Sequence, residues 1–382
     1  MPRAAIVAGV RSPIGKAGRA YKDLHPVDLL TASLVGALGA SGLDDPALID
    51  QVLVGCVVQS GEQGANIGRN AWLAGGLPIS VPATTLDTQC GSSQQAVNLA
   101  AALVNSGHAD LILAGGVEHT SRVGAPDVED ATLPQPYSRE QLDRYDMPGP
   151  GTAGERMARK YNITRAASDE YGLRSHLLAH EGWSQGHFEH EIVFIERDGE
   201  PILERDQGIR ADSTAERLAQ LPPVYQDDGV ITAASASQLS DGSAAIIVAS
   251  EDAVSRHGLE PLAWIKATAT VGVDPEIMLE GPIAATTTLL EKSNLTLDDV
   301  DLFEVHEAYA VVACAWRDVH AVELERINVD GGAIALGHPF GASGARQIAH
   351  LVHSLRRTGG RLGVQVMCCG GGIGTGTVLE CT

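Results

Sequence analysis

The sequence is poor in aromatic residues and in positive charge. Aromatic residues make up 4% of the 382 positions, and 27 Lys and Arg stand against 48 Asp and Glu, which gives a formal net charge of -21. A surface this acidic argues against nucleic acids and anionic membranes as partners. A small anionic ligand stays compatible with this composition only if basic residues cluster locally.

Long apolar runs and informative cysteine spacings are also missing. No run is long enough to span a bilayer, and Arg11 and Lys16 follow the apolar start too early for a signal peptide. The cysteines match no zinc pattern and no small disulfide framework. We therefore expect reduced thiols, no bound metal and a cytoplasmic location. The six cysteines are Cys56, Cys90, Cys314, Cys368, Cys369 and Cys381.

Strand-like and helix-like segments alternate along most of the chain, which predicts an α/β fold with helices on the faces of a sheet. Ala4–Ala8 and Val52–Val58 are strand candidates, and Gln94–Asn105 is a predicted helix. A middle stretch is richer in charge, proline and polar residues, which indicates an insertion without a large core of its own. The predicted division is an N-terminal half (1–121 and 238–258), an insertion (122–237) and a C-terminal half (259–382).

A weak internal repeat suggests that the two halves arose by duplication. Each half has a Gly/Ser-rich turn, an amphipathic helix, a strand and a glycine cluster in the same order. The turns are Cys90–Ser93 and His338–Gly344, and the glycine clusters are Gly115-Gly116 and Gly370–Gly372. Chance similarity is the alternative. Two such halves facing each other would place their equivalent turns at one central site.

The first candidate for chemistry is Cys90, which lies between a predicted strand and the predicted helix from Gln94. Backbone N–H groups and the helix dipole at such a position favour an anion, so we expect a stabilised thiolate. Small neighbours leave room for a substrate to reach the sulfur. The alternative is a buried structural cysteine at a tight turn.

The second candidate is His338, in the Gly/Ala-dense run 328–345. This composition favours neither helix nor strand before Ala345, so we predict an ordered loop that allows close backbone approach. Gly337 and Pro339 flank the histidine, and the proline restricts its backbone. A positioned imidazole is the usual base for a cysteine nucleophile. A histidine bonded to a loop carbonyl is the alternative.

Further polar groups follow two predicted strands, at the edge where α/β sheets bind ligands. Cys368 and Cys369 come after the strand candidate Leu362–Val366 and precede three glycines. The N–H groups of these glycines, Gly370 first, could hold an oxyanion. His306 follows another predicted strand. Filler cysteines, a vicinal disulfide and a hydrogen-bonded core histidine stay open as alternatives.

Together and in this order, these segments resemble the signatures of the thiolase family over essentially the whole chain. The matches lie around Cys90, at Gly331–Pro339 and at Cys368–Gly372. The resemblance implies a five-layered αβαβα fold with two duplicated halves and an inserted loop domain. It also implies acetyl-CoA acetyltransferase or 3-ketoacyl-CoA thiolase activity. Such enzymes cleave 3-oxoacyl-CoA with CoA to acetyl-CoA and a shortened acyl-CoA, or run the reverse Claisen condensation, through an acyl-cysteine.

The resemblance also implies a role for each candidate. Cys90 is then the acyl-accepting nucleophile, and His338 is its base. Cys368, which is followed by one residue and then three glycines, is the second acid–base thiol. His306 stands where the family usually has an Asn that orients a water in an oxyanion hole. A second hole is expected to include the N–H of Gly370.

For the co-substrate CoA, the resemblance implies binding by the middle insertion. Arg210 matches a nucleotide-contacting Arg, and Ser237 matches a Ser that touches pantetheine. A solvated surface Arg is the alternative for Arg210. The resemblance implies no bound cofactor and suggests a homodimer or homotetramer. Acyl-chain selection is expected to depend on the loops around Arg122–Gly151.

Two sequence features bear on the subfamily. The family's usual Asn-Glu-Ala-Phe reads His306-Glu307-Ala308-Tyr309 here, and a His can also donate a hydrogen bond. The segment Gln89–Gln95 resembles actinobacterial thiolases of fatty-acid and steroid side-chain breakdown more than biosynthetic ones. One alternative is a related condensing acyltransferase, in which a His generally replaces the second Cys. The other is a non-catalytic acyl-CoA-binding protein of the same fold.

Overall fold

The computed structural model describes residues 3–125 and 136–381, as a mixed α/β structure. The strands are β1 (Ala4–Arg11), β2 (Gly15–Lys16), β3 (Gln51–Gly55), β4 (Ala83–Leu86), β5 (Leu111–His119), β6 (Glu196–Arg197), β7 (Glu200–Pro201), β8 (Ser240–Ser250), β9 (Ala263–Gly272), β10 (Leu302–Val305), β11 (Leu362–Cys369) and β12 (Ile373–Glu380). The longer helices are α1 (Pro26–Ser41), α2 (Ile67–Ala74), α3 (Ser92–Asn105), α6 (Pro150–Lys160), α7 (Arg165–Ser184), α10 (Gly281–Ser293), α11 (Ala310–His320) and α13 (Ser343–Thr358). The shorter ones are α4 (Thr120–Val123), α5 (Arg139–Leu142), α8 (Ala215–Ala219), α9 (Glu251–His257) and α12 (Ala333–Leu336).

The strand order of the main sheet confirms the internal repeat. Its order is β10-β11-β12-β9-β1-β8-β5-β3-β4, with β2 beside β8. In the N-terminal half, β3 runs parallel to β5, whereas β5–β8 and β8–β1 are antiparallel. The C-terminal half repeats this pattern in β10–β11, β11–β12 and β12–β9. A short pairing of β1 with β9 joins the two halves.

Alternating burial along the strands creates the layers. In β8, Ala245, Ile247 and Ala249 belong to the core shared with α1 and α2, and the intervening residues face the core around α3 and α13. This alternation is the two-residue period of a strand. The other half packs its outer face against α10 and α11. The two halves of the sheet form two layers, and α3 and α13 form the helical layer between them. The resulting order, helix–sheet–helix–sheet–helix, confirms the predicted fold class.

Three local details differ from the sequence-based expectations. Helix α3 begins at Ser92, two residues before the predicted start, and the one-turn helix α12 lies inside a predicted loop. Strand β5 continues through Gly115 and Gly116 to His119. A Cβ on either glycine would collide with a backbone carbonyl, of Ala244 or Gly341 respectively. These glycines therefore allow close packing inside a strand and do not end it.

The segment between β5 and β8 leaves and re-enters the sheet on neighbouring antiparallel strands. It carries α6 and α7, whose buried residues share the core of the C-terminal half. The boundaries of the three proposed units stay a prediction.

Candidate active site

Cys90 lies in a tight turn immediately before α3, with Gly91 as the helix N-cap. Gln89 adopts a positive φ of 51°, and its carbonyl accepts from the Ser92 N–H at 2.9 Å. The Ser92 hydroxyl in turn accepts from the Thr88 N–H at 2.9 Å. These bonds fix the turn, so that Cys90 is half-buried beside the start of the helix.

The thiol of Cys90 differs from the expected stabilised thiolate. Burial raises its pKa to about 12, although the N–H groups of Cys90 and Gly370 favour the thiolate. Desolvation therefore outweighs the two N–H groups and the helix N-terminus. The resting nucleophile is a neutral thiol that needs a base.

Cys368 and Cys369 are the last two residues of β11, and the strand period sends them to opposite faces. Cys368 belongs to the outer core and lies beside the Ala308 N–H. Its pKa is raised well above the ordinary value, mainly by burial and next by the charge of the nearby Cys90. A Cβ on Gly91 would lie 2.6 Å from the Cys369 sulfur, so Cys369 packs behind the Cys90 turn. Cys368 is thus the thiol on the side of Ala308 and Tyr309.

His338 is buried and fixed at both ends of its side chain. Its Nδ1 lies 2.6 Å from the Ser343 Oγ, whose hydroxyl donates to the Pro339 carbonyl at 2.9 Å. Because that hydroxyl proton is used, Nδ1–H of His338 donates to Ser343 and Nε2 keeps a lone pair. Nε2 of His306 lies 3.3 Å from Nε2 of His338 and faces this lone pair. In neutral imidazoles, His306 therefore carries its proton on Nε2.

Both imidazoles are held neutral. Burial and the charge of Arg346 lower the pKa of His338 to about 3. Burial, His338 and Arg346 lower the pKa of His306 well below its ordinary value. A neutral His338 with an unprotonated Nε2 has the protonation state that a general base requires.

The loop after β10 connects these groups to the insertion. Glu307 is buried and accepts from the Ser175 hydroxyl at 2.8 Å and from the Ile334 N–H at 3.1 Å. The hydroxyl of Tyr309 hydrogen-bonds that of Tyr225 at 3.0 Å. Burial and then Tyr225 are the main causes that raise the pKa of Tyr309. The charges of Cys90 and Cys368 would raise it further, so Tyr309 lies near both sulfurs. The Phe that the resemblance predicts at this position has no hydroxyl, so Tyr309 adds one near the two sulfurs.

The two CoA candidates lie on neighbouring segments. The Arg210 Nη1 donates to the Ala233 carbonyl at 3.2 Å, and the Ser237 N–H donates to the Ala308 carbonyl at 3.0 Å. Burial is the main cause that lowers the pKa of Lys16. The charges of Arg210 and Arg19 lower it further, which places both arginines near Lys16. This local basic cluster, on an otherwise acidic protein, suits an anionic nucleotide.

The structure places Cys90 near Cys368 and the Gly370 N–H, and it places His306 against His338. Ala308, two residues after His306, contacts Cys368 through its N–H and Ser237 through its carbonyl. Sequence reasoning missed Ser343, which holds the base, although a Ser at a helix start after the His was a usable signal. It also missed Lys16 and Arg19, because nothing local links them to a segment far along the chain. Part of the predicted acyl-selecting region, residues 126–135, lies outside the described residues.

The described residues include neither a membrane-spanning helix nor a cluster of metal ligands. None of their helices is long and apolar enough to cross a membrane. Within the same residues, no group of three or more His, Cys, Asp or Glu side chains could hold a metal ion.

Comparisons with known proteins identify the family of this chain. Residues 4–252 match the family model "Thiolase, N-terminal domain", and residues 259–381 match "Thiolase, C-terminal domain". The steroid 3-ketoacyl-CoA thiolase FadA6 of Mycobacterium tuberculosis is 42% identical, over 100% of this chain and 94% of that protein. The 3-ketoacyl-CoA thiolase of Cronobacter sakazakii is 39% identical over 100% of both. The crystal structure of human mitochondrial 3-ketoacyl-CoA thiolase in complex with CoA is 35% identical, with a TM-score of 0.91, over 100% of this chain and 98% of that one.

Proposed function

Since this chain belongs to the thiolase family, and is thus an acyltransferase, we propose that it cleaves 3-oxoacyl-CoA with Cys90, His338, Cys368 and His306. The family resemblance drawn from the sequence is confirmed. The names of its relatives favour the degradative direction, with fatty-acid or steroid-derived 3-oxoacyl-CoA as substrate.

In the first half-reaction, the Nε2 lone pair of His338 takes the proton of Cys90. The thiolate attacks the 3-oxo carbon, the C2–C3 bond breaks, and acetyl-CoA leaves as its enolate. Cys368 protonates this carbanion. In the second half-reaction, Cys368 deprotonates the thiol of an incoming CoA, which attacks the acyl-Cys90 thioester. The shortened acyl-CoA is released, and Cys90 leaves as a thiolate that recovers its proton from His338. A high thiol pKa suits Cys368, because the carbon acid is weak and the group must both give and take a proton.

Two oxyanions form on this route and need separate donors. The N–H groups of Cys90 and Gly370, which already point at the Cys90 sulfur, would stabilise the oxygen of the Cys90 adduct. The enolate oxygen would accept from Nε2–H of His306 and, once His338 has taken the proton, from its Nε2–H. Removal of one such donor typically costs about 10²–10³ in rate.

CoA as co-substrate would extend from the sulfurs past Ser237 towards Arg210. The basic cluster with Lys16 and Arg19 would take the nucleotide phosphates. We propose no bound cofactor, a homodimer or homotetramer, and a cytoplasmic location, as the family resemblance implies.

The observation that carries this proposal is the packing of the Cys90 turn and the His338 turn at the starts of two adjacent helices, joined by the bond from the Ala345 N–H to the Ser93 hydroxyl, with the second thiol, Cys368, near Cys90. The test is a thiolysis assay over short, long and steroid-derived 3-oxoacyl-CoAs with CoA. We expect the wild type to turn over at least one class and Cys90→Ala to turn over none. Turnover by Cys90→Ala, or CoA binding without turnover of any class, would contradict the proposal.

A further inference from the structure

Arg346, on α13, is a buried guanidinium with an unusual environment. It is 1% exposed, and none of its three side-chain nitrogens has a hydrogen-bond partner among the residues that the structure describes. Buried polar groups are nearly always paired, and an isolated buried charge is costly. A fixed acceptor is therefore required near this side chain.

Two buried acceptors without a donor lie on the strand that α13 packs against. Oε2 of Glu304 and Nδ1 of His306 both lack a partner within the described part of the chain. Glu304 and His306 are two residues apart at the end of β10, so they share the face turned towards the central layer. Nδ1 must be an acceptor here, because the proton of His306 is on Nε2 towards His338.

We infer that Arg346 and Glu304 hold a buried water that donates a hydrogen bond to Nδ1 of His306, which makes Arg346 a positioning residue for the oxyanion hole. Such a water accepts from the guanidinium and donates one hydrogen to Glu304 and one to His306. This arrangement gives both unpaired acceptors a donor and gives the guanidinium an acceptor for at least one of its N–H groups, as buried waters typically do. The inference rests on the proposed function and deepens it.

The role of Arg346 is electrostatic as well as geometric. Its charge lowers the pKa of both His306 and His338. The other charges near Arg346 are Glu304, Arg11, Glu191 and Asp206, and His350 lies 4.0 Å from Glu304. Because Arg346 lacks a direct carboxylate bond, it keeps a positive potential behind His306 that opposes protonation of Nδ1.

The direct test is the tautomer of His306, read from imidazole ¹⁵N shifts near neutral pH. In the wild type we expect His306 with Nδ1 bare and Nε2 protonated. In Arg346→Met we expect a mixture that includes the Nδ1–H tautomer, whereas Arg346→Lys keeps the wild-type state. His338 is an internal control, since Ser343 fixes its tautomer from the other side and the substitution should leave it unchanged.

The kinetic test compares the same variants in thiolysis. We expect Arg346→Met to lower kcat about tenfold, as the loss of one well-placed charged hydrogen bond implies, with KM for CoA within twofold, and Arg346→Lys to recover most of kcat. Ser354→Ala, on the same helix face but bonded to His350, is the matched control and should match the wild type. If Arg346→Met does not fold, Glu304→Gln replaces it, with the same shift towards Nδ1–H expected.

An Nδ1–H tautomer of His306 in the wild type would overturn the inference. So would an unchanged His306 tautomer in the folded Arg346→Met or Glu304→Gln variant. Neither result depends on turnover, so a wild type without thiolysis activity would contradict the proposed function and leave the tautomer test standing.

Discussion

The two halves of the molecule use the same architecture to support different chemistry. The proposed nucleophile, Cys90, precedes α3, and the proposed base, His338, precedes α13 in the equivalent turn. Behind Cys90, α3 buries neutral groups: Gln94 donates to the Gln365 carbonyl at 3.2 Å, and Asn98 accepts from Thr377 at 2.7 Å.

Behind His338, α13 buries ions instead. His350 bonds Glu191 at 3.0 Å and lies 3.3 Å from Asp330. The charge of Arg346 acts on both His306 and His338. The neutral groups that α3 buries suit Cys90, whose thiol is neutral at rest. An imidazole whose proton position decides its role is controlled by charges and by directed hydrogen bonds.

The largest contrast is expected between the two adjacent cysteines that end β11. Cys368→Ala should lower thiolysis by about 10³-fold or more, because Cys368 is the group proposed to give and take the proton of the carbanion. Cys369→Ala, whose sulfur packs behind the Cys90 turn, should keep kcat within about fivefold and lose mainly packing energy. Steady-state assays of both variants make the comparison, and equal losses would contradict the assignment.

The serines at the starts of the two central helices sharpen the comparison next. Ser343→Ala removes the acceptor for Nδ1–H of His338, and we expect kcat to fall about 10- to 100-fold. Ser93→Ala removes the acceptor of the Ala345 N–H, a 2.9 Å bond between α3 and α13. It should cost about 1 kcal/mol of stability with kcat nearly unchanged. A larger kcat loss in Ser93→Ala would break the distinction.

A smaller effect is expected at the proposed CoA site. Arg210→Ala should raise KM for CoA about five- to tenfold, as loss of one charged contact implies, with little change in kcat. Arg217→Ala is a matched control, because Arg217 is exposed and bonds only Asp212 and its carbonyl among the described residues. An unchanged KM in Arg210→Ala would indicate a solvated surface arginine.

The last expected effect is on stability and not on activity, and it depends on pH. Glu191 and Asp330 overcome burial and raise the pKa of His350 from 6.5 to about 10. The protonated form is thus favoured by folding, so its stabilisation is complete below pH 6.5 and falls as the pH rises towards 10. His350→Gln should therefore lower the unfolding midpoint more at pH 6 than at pH 9. Gln94→Leu, its neutral counterpart in the other half, should have the same effect at both pH values.

Much of the fold was predictable, because hydrophobic periodicity and the repeated order of turn, helix and strand are local features of the sequence. Cys90, His338 and Cys368 were recognisable by their small, glycine-rich surroundings. The protonation of Cys90 was not, since its pKa depends on desolvation by distant segments. The partners of His306 and the Lys16–Arg210 cluster were equally hidden, because they form only when segments far apart in the chain meet.

The central claim is that Cys90 carries the acyl group while Cys368 handles the carbon–carbon bond. The most direct measurement is mass spectrometry of Cys368→Ala after incubation with acetyl-CoA, with peptide mapping of the modified residue. The account requires one acetyl group, attached to Cys90 and absent in the Cys90→Ala/Cys368→Ala double variant. Acetylation of another residue, or none at Cys90 in a folded protein, would contradict it.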